Sequence, residues 1–425
     1  MTKKRQKDIA CSFCGKSHPE IHRMVAGPQV CICEKCIVSC KKLLLNQQGK
    51  TVLSSSKMED FPTAFSKPAD LRDVLDQYVV GQDRAKKALS VAAYHHYKRL
   101  QENDQKNSDK ENIQLQKSNV LLIGPTGTGK TLLAQALSKF LAKVLDVPFA
   151  MTDATTLTEA GYVGEDVDSI LVSLIAAARG DVARAQKGVV YIDEFDKIAR
   201  RGQNASITRD VSGEGVQQAL LKVLEGSLCH VPPRGGRKHP QQDFLQIDTS
   251  QILFICGGAF CGLESIVRQR MGRNAMGFTA TKTTSISSQD ENIALSVQPQ
   301  DLVKFGLIPE LIGRLPMITT LNPLSEEDFL HVLTSPKNAL TKQYQALFRV
   351  DGVDLRFTQG ALRALAKQGV QSKMGARGLR GTLEEIMFAV TYAVAGDGFV
   401  KEIVFTEQSI VQGRTPQIVR WENAA

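Results

Sequence analysis

Asn119-Val-Leu-Leu-Ile-Gly-Pro-Thr-Gly-Thr-Gly-Lys-Thr131 is the stretch on which the reading of this chain turns. The apolar run Asn119–Ile123 predicts a buried strand, and Leu132-Leu-Ala-Gln-Ala-Leu137 predicts the start of a helix. The glycines then fall on the turn between them. Such a turn brings backbone N–H groups and a helix N-terminus to bear on anionic oxygens, and glycine lets the backbone come close. Pro125, Thr126, Gly127, Thr128, Gly129, Lys130, Thr131 and Leu132 are therefore candidate nucleotide-binding residues. Lys130 suits β- and γ-phosphates, and the Thr131 hydroxyl suits Mg²⁺.

Beyond this loop strands and helices alternate, which predicts an α/β fold with a parallel sheet between helices. Gly188-Val-Val-Tyr-Ile-Asp193-Glu194 ends an apolar strand on two carboxylates. That arrangement delivers both to the C-terminal edge of the sheet, beside the phosphate loop. Asp193 is a candidate Mg²⁺ ligand, directly or through water. Glu194 is the candidate to polarise the water that attacks the γ-phosphate.

Cys11-Ser-Phe-Cys14 and Cys33-Glu-Lys-Cys36 form two C-x-x-C knuckles separated by 18 residues. Two knuckles at this spacing offer four thiolates to one tetrahedral Zn²⁺ and leave no open position, so the metal is expected to be structural. Cys31 and Cys40 lie close to the second knuckle but outside its register. A module this small has little core of its own, and metal binding should supply most of its folding energy. Met24, Val25, Val30, Ile32, Ile37 and Val38 exceed what such a ribbon hides, and offer a self-association or docking face.

The chain of 425 residues is long enough for two or three domains, each with its own core. We read 1–48 as a zinc-binding domain, 49–66 as a polar Ser-rich linker, 67–318 as the large ATPase domain and 319–425 as a mainly helical small domain. Ser325-Glu-Glu-Asp328 reads as a helix start, and Lys401-Glu-Ile-Val-Phe405 as a strand. No apolar run approaches the ~18 residues that a membrane span requires. The polar start lacks a signal-peptide core, so a cytoplasmic location is expected. Of the net charge of +9, +7 falls in the first fifty residues, a basic end able to attract nucleic acid or an acidic protein, or simply to act as a solubilising arm.

Tyr78-Val-Val-Gly-Gln-Asp-Arg84, the phosphate loop, Asp193-Glu194, Gly306-Leu-Ile-Pro-Glu-Leu-Ile-Gly-Arg314 and Gly375-Ala-Arg377-Gly-Leu-Arg380 occur in the order seen in AAA+ ATPases. With the four-cysteine module in front, nearly the whole chain resembles the Clp/Hsp100 unfoldases that feed the ClpP peptidase. The resemblance implies a homohexameric ring that binds ATP, Mg²⁺ and Zn²⁺, unfolds proteins bearing terminal degradation tags, and acts as a chaperone when the peptidase is absent. It also implies adaptor proteins docking on the zinc domain. By that resemblance Val80 and Gly81 belong to the segment that packs on adenine. Arg314 resembles an arginine finger reaching a neighbour's γ-phosphate, and Arg377 a second sensor of nucleotide state. Cys256-Gly-Gly258 offers no polar residue where many relatives carry a first sensor.

The same resemblance assigns loops. Gly161-Tyr-Val-Gly164 is similar to a pore loop in which Tyr162 and Val163 grip a polypeptide, and Val211 belongs to a second pore loop. Arg237, Lys238 and His239 match a positive rim at the channel entrance. Met276-Gly277-Phe278 resembles the tripeptide that docks on ClpP, with Met where Ile or Leu is usual. An aromatic and aliphatic channel loop argues against a nucleic-acid motor, which tracks phosphates with Lys and Arg. No peptidase nucleophile constellation is present, so proteolysis is expected from a partner.

Overall fold

The computed structural model describes residues 11–14, 24–26, 31–34, 36, 67–104, 115–158, 165–200, 213–232, 244–273, 296–372, 374–394 and 397–421. The chain divides into two compact units, Met1–Asp60 and Phe61–Ala425. In the first, strands β1 (Met24–Ala26) and β2 (Cys31–Cys33) pair antiparallel, with Val25 opposite Ile32. Among its described residues the core is sulfur: Cys11 and Cys33 are buried and Cys36 packs on them. Val25 stands 64% exposed and Ile32 is half-buried, while the side chains of Met24, Val30, Ile37 and Val38 lie outside the described residues.

The second unit opens with helices α1 (Pro68–Asp76) and α2 (Asp83–Asp104). Then come β3 (Val120–Ile123), α3 (Lys130–Phe140), β4 (Phe149–Asp153), α4 (Ser169–Ala177), β5 (Val189–Asp193), α5 (Glu214–Glu225), β6 (Leu253–Gly258), α6 (Leu263–Arg273) and β7 (Met317–Thr320). The five strands form one parallel sheet in the order β7-β3-β6-β5-β4. Successive side chains on a strand point to opposite faces, and β3 shows both faces covered. Val120 and Leu122 join a core with Leu71 and Leu75 of α1, Leu89 of α2 and Leu137 of α3. Leu121 and Ile123 join the other core, with Ile170 and Leu174 of α4 and Val216 and Leu220 of α5. The uninterrupted apolar runs of β3 and β5 are thus the mark of strands buried on both sides.

Ahead of α4, Glu165–Asp166 is held in a short parallel pairing with Leu157–Thr158, and the helix starts at Ser169. On the far side of β7 lie α7 (Glu326–Thr334), α8 (Leu340–Val350), β8 (Asp354–Phe357), α9 (Gln359–Gln371), α10 (Ala376–Val394), β9 (Val400–Phe405) and β10 (Gln417–Arg420). The expected start of α7 is present: the Ser325 hydroxyl accepts from the Asp328 N–H while the Asp328 carboxylate accepts from the Ser325 N–H. Strand β9 matches the sequence reading, but it pairs with two strands that the reading did not contain, in the order β8-β9-β10. Among the described residues no helix is long and apolar enough to cross a membrane.

Candidate functional site

The C-terminal edge of the five-stranded sheet is where its chemistry collects. After β3 the chain turns through Gly124–Gly129, with the Gly124 N–H donating to Gly258 O at 3.2 Å. Gly127 and Gly129 sit at φ +82° and +102°, a region open to glycine, so the loop can curl tightly into α3. Lys130 is buried at the start of that helix, and its ammonium donates to the carbonyls of Gly124 and, at 2.9 Å, Pro125. Burial lowers its pKa; Asp193 and Asp196 oppose that shift, and Arg377 adds to it.

The two carboxylates arrive as the strand pattern requires. The Thr131 hydroxyl donates to Asp193 Oδ2 at 2.6 Å. Asp193 Oδ1 accepts from the Glu194 N–H at 3.0 Å and from the Tyr191 hydroxyl at 3.2 Å. Glu194 takes φ +52°, a left-handed conformation rare for a residue with a side chain, which turns it out of the strand direction and onto the cavity wall. Asp196 is buried and fastens the end of β6 by accepting from the Ala259 N–H at 2.9 Å. A hydroxyl beside a carboxylate is a hard oxygen donor set of the kind Mg²⁺ takes.

A cavity of about 510 Å³ lies over this edge. Its lining includes Val80, Thr126 through Leu132, Asp193, Glu194 and Arg377, so the structure brings these candidates into one space. Gly81 and Pro125 fall outside the lining; Gly81 turns the chain at φ +62°, and Pro125 lends its carbonyl to Lys130 and Thr128. The opposite wall comes from the C-terminal helices. A Cβ on Gly127 would meet Gly375 Cα at 2.8 Å, and the Ala376 N–H donates to Gly127 O at 3.1 Å. The start of α10 is therefore seated directly on the phosphate loop, which carries Arg377 and Arg380 to the cavity.

Several lining residues escaped the sequence reading. Tyr78, Leu324, Val332 and Leu340 add apolar surface to the lining. A hydrophobe that lines a cavity looks like a core hydrophobe in sequence. Arg380 was legible in principle, standing three residues after Arg377 and so on the same helical face. Arg314 is not in the cavity. Its guanidinium is paired with Glu225 at 2.8 Å on an exposed surface, and its carbonyl accepts from Asn119 Nδ2 at 2.9 Å.

The four cysteines converge as their spacing requires. The sulfurs of Cys11, Cys14, Cys33 and Cys36 all lie within 4.8 Å of one another, and Cys14 and Cys33 are 3.8 Å apart. Sulfurs bound tetrahedrally at ~2.3 Å from Zn²⁺ would be separated by just under 4 Å, so the set fits that ion. The Cys33 N–H points at Cys11 Sγ and the Cys36 N–H at Cys33 Sγ. Hydrogen bonding from the Cys14 backbone, ahead of that from Cys33, lowers the Cys11 thiol to about 6. Hydrogen bonding with Cys33, together with desolvation, raises Cys36 to about 12. So many sulfurs in one space resist charging together without a cation.

Tyr162, Val163, Val211, Arg237, Lys238, His239, Met276, Gly277 and Phe278 lie outside the described residues.

Three family models match the chain, in this order: a ClpX C4-type zinc finger over residues 9–46, an AAA domain (Cdc48 subfamily) over 115–318, and the C-terminal, D2-small domain of ClpB protein over 324–390.

Proposed function

From a chain whose zinc finger, AAA domain and small C-terminal domain fit a ClpX-type Clp/Hsp100 protein, we propose an ATP-driven protein unfoldase that works as a hexamer and delivers unfolded chains to ClpP. The observation that carries the reading is the cavity shared by the phosphate loop, Asp193, Glu194 and Arg377. It is closed on one side by a helical domain seated on Gly127. The boundaries we propose are 1–48 for the zinc domain, 49–66 for the linker, 67–318 for the large domain and 319–425 for the small one.

In this reading Lys130 gives up two loop carbonyls for phosphate oxygens, and the loop N–H groups share the remaining charge. Thr131 and Asp193 are the residues that would hold Mg²⁺, which when bound neutralises charge building between the phosphates. Glu194, already turned toward the cavity, orients and deprotonates the attacking water. Val80 and the apolar wall of Leu324, Val332 and Leu340 suit the faces of a base. Arg377 joins the charged end from a different domain, so the nucleotide's phosphates bear on the angle between the two. Arg314, outside its own cavity and paired with Glu225 on an exposed surface, would serve a neighbouring subunit by exchanging that partner for a phosphate, which is why a ring is part of the reading.

We assign Tyr162, Val163 and Val211 to a channel that grips polypeptide, Arg237, Lys238 and His239 to its entrance, and Met276, Gly277 and Phe278 to the ClpP contact. Tagged proteins are the substrates, adaptors meet the zinc domain, and the setting is cytoplasmic. The test is degradation of a stably folded, tagged protein with and without ClpP and ATP. Degradation that needs both supports the proposal; an ATPase that leaves the folded substrate intact under all conditions overturns it. In the same assay Glu194→Gln is expected to retain ATP binding while hydrolysis falls roughly 10²- to 10⁴-fold.

A further inference from the structure

At the end of β6, beside Asp193, the residue that faces the Tyr191 hydroxyl is Gly257. A Cβ there would lie 2.9 Å from Tyr191 Cζ and closer still to the hydroxyl, so the phenol occupies the space in which a side chain on β6 would stand. Tyr191 is fully buried, its ring part of the core formed by β3, β5, β6 and the first three helices. Its hydroxyl alone reaches the edge of the sheet, 3.2 Å from Asp193 Oδ1, while Thr131 holds Oδ2. A buried tyrosine hydroxyl requires a polar partner, and here that partner is the carboxylate at the phosphate end.

We infer that Tyr191 is a positioning residue for the metal-binding carboxylate. Its hydroxyl fixes the rotation of Asp193. The inference rests on reading Thr131 and Asp193 as Mg²⁺ ligands. Fixing one oxygen by Tyr191 and Glu194 leaves Oδ2 and the Thr131 hydroxyl facing the cavity as a preset pair. The glycine at position 257 is then a requirement of the phenol rather than of the loop.

The experiment uses the full chain and a fluorescent ADP derivative, titrated with Mg²⁺ and again with EDTA. For Tyr191→Phe, the gain in ADP affinity that Mg²⁺ confers should fall about three- to tenfold, the size of an ordinary hydrogen bond rather than one to a charged group, because the Glu194 N–H stays in place. Affinity in EDTA should stay within twofold. Gly257→Ala should act in the same direction by displacing the hydroxyl, and should cost less in the Tyr191→Phe background than alone. A metal-dependent gain unchanged within twofold in Tyr191→Phe overturns the inference. So does an equal loss with and without Mg²⁺, which marks a residue that only packs, or strict additivity of the two substitutions. A wild-type chain whose ADP affinity ignores Mg²⁺ overturns the Thr131–Asp193 reading itself, a result separate from failure of Tyr191 alone.

Discussion

Gly127→Ala tests the contact on which the shared cavity depends. Two penalties combine at this position. The residue sits at φ +82°, where a Cβ costs about 1–2 kcal/mol in backbone strain. The new methyl would also fall on the backbone of Gly375 and Ala376, at 2.8 and 3.0 Å, where no flexible side-chain end can give way. Relief requires parting α10 from the phosphate loop and losing the Ala376 N–H to Gly127 O bond, about another 1 kcal/mol. The sum, roughly 2–3 kcal/mol, corresponds to about a 30- to 150-fold loss of ATP affinity at about 1.4 kcal/mol per tenfold. Gly180→Ala is the control, since it shares the strain (φ +85°) with nothing within 4 Å of its Cβ. Affinity is measured by titration calorimetry, with thermal melts of both variants alongside. If Gly127→Ala binds ATP within about threefold of Gly180→Ala, the helical domain does not close on the loop as argued.

Arg314→Ala should bind ATP about as well as the parent while hydrolysis falls on the order of 10³-fold; mixing it with Glu194→Gln subunits should restore part of the rate, measured as phosphate release, because each variant supplies what the other lacks across a boundary. Removing zinc with a chelator should expose four reactive thiols per chain and abolish the β1–β2 pairing, read by thiol titration and exchange of the Val25 and Ile32 amides, with the melt of the large unit unchanged. His96 predicts acid sensitivity. It is buried with Nε2 on Lys187 O at 3.0 Å and Nδ1 facing the Arg99 guanidinium at 3.3 Å, and burial, reinforced by Arg99, lowers its pKa from 6.5 to about 3. The unfolded chain therefore binds a proton that the fold refuses, so stability should fall as pH drops from about 6.5 towards 3, by up to about 1.4 kcal/mol per unit. His96→Gln should flatten that slope in pH-dependent melts, and an unchanged slope would remove His96 from the account.

What was legible in the sequence was chemistry set by short spacing. The eight residues from Gly124 to Thr131 carry their own turn, and the Asp193-Glu194 pair needs only the strand before it to reach the sheet edge. The cysteine knuckles announce their geometry in two tripeptide steps. Contacts between distant segments left no such trace. Gly375 follows Gly127 by more than two hundred residues, and neither motif marks the other as its neighbour. Strands β8 and β10 were missed because Asp354-Leu-Arg-Phe357 is short and half polar, and Gln417–Arg420 is exposed throughout. In sequence Tyr191 reads as strand and core. Its ring is both, and only the position of its hydroxyl distinguishes it from Val189 on the same face.

The position of Arg314 follows from the same logic of long-range contacts. Gln217 of α5 is fully buried, and its side chain donates to Ile198 O at 2.9 Å and Gly306 O at 3.2 Å while accepting from the Ile308 N–H at 2.8 Å. Ile198 closes the turn that begins at Glu194, and Ile308 opens the short helix Pro309–Gly313 that ends at Arg314. The Arg200 N–H adds a bond to Gly306 O at 3.1 Å, and a Cβ on Gly306 would lie 2.9 Å from Arg200 N, so the two segments cannot slide past each other. Buried polar groups satisfied only by one another resist separation, because each lost bond leaves a desolvated donor or acceptor. The Glu194 turn and the Arg314 helix are therefore bonded to each other through Gln217 and Arg200. If Arg314 serves the next subunit, Gln217 ties that arginine's helix to the turn that holds Glu194 at its own cavity.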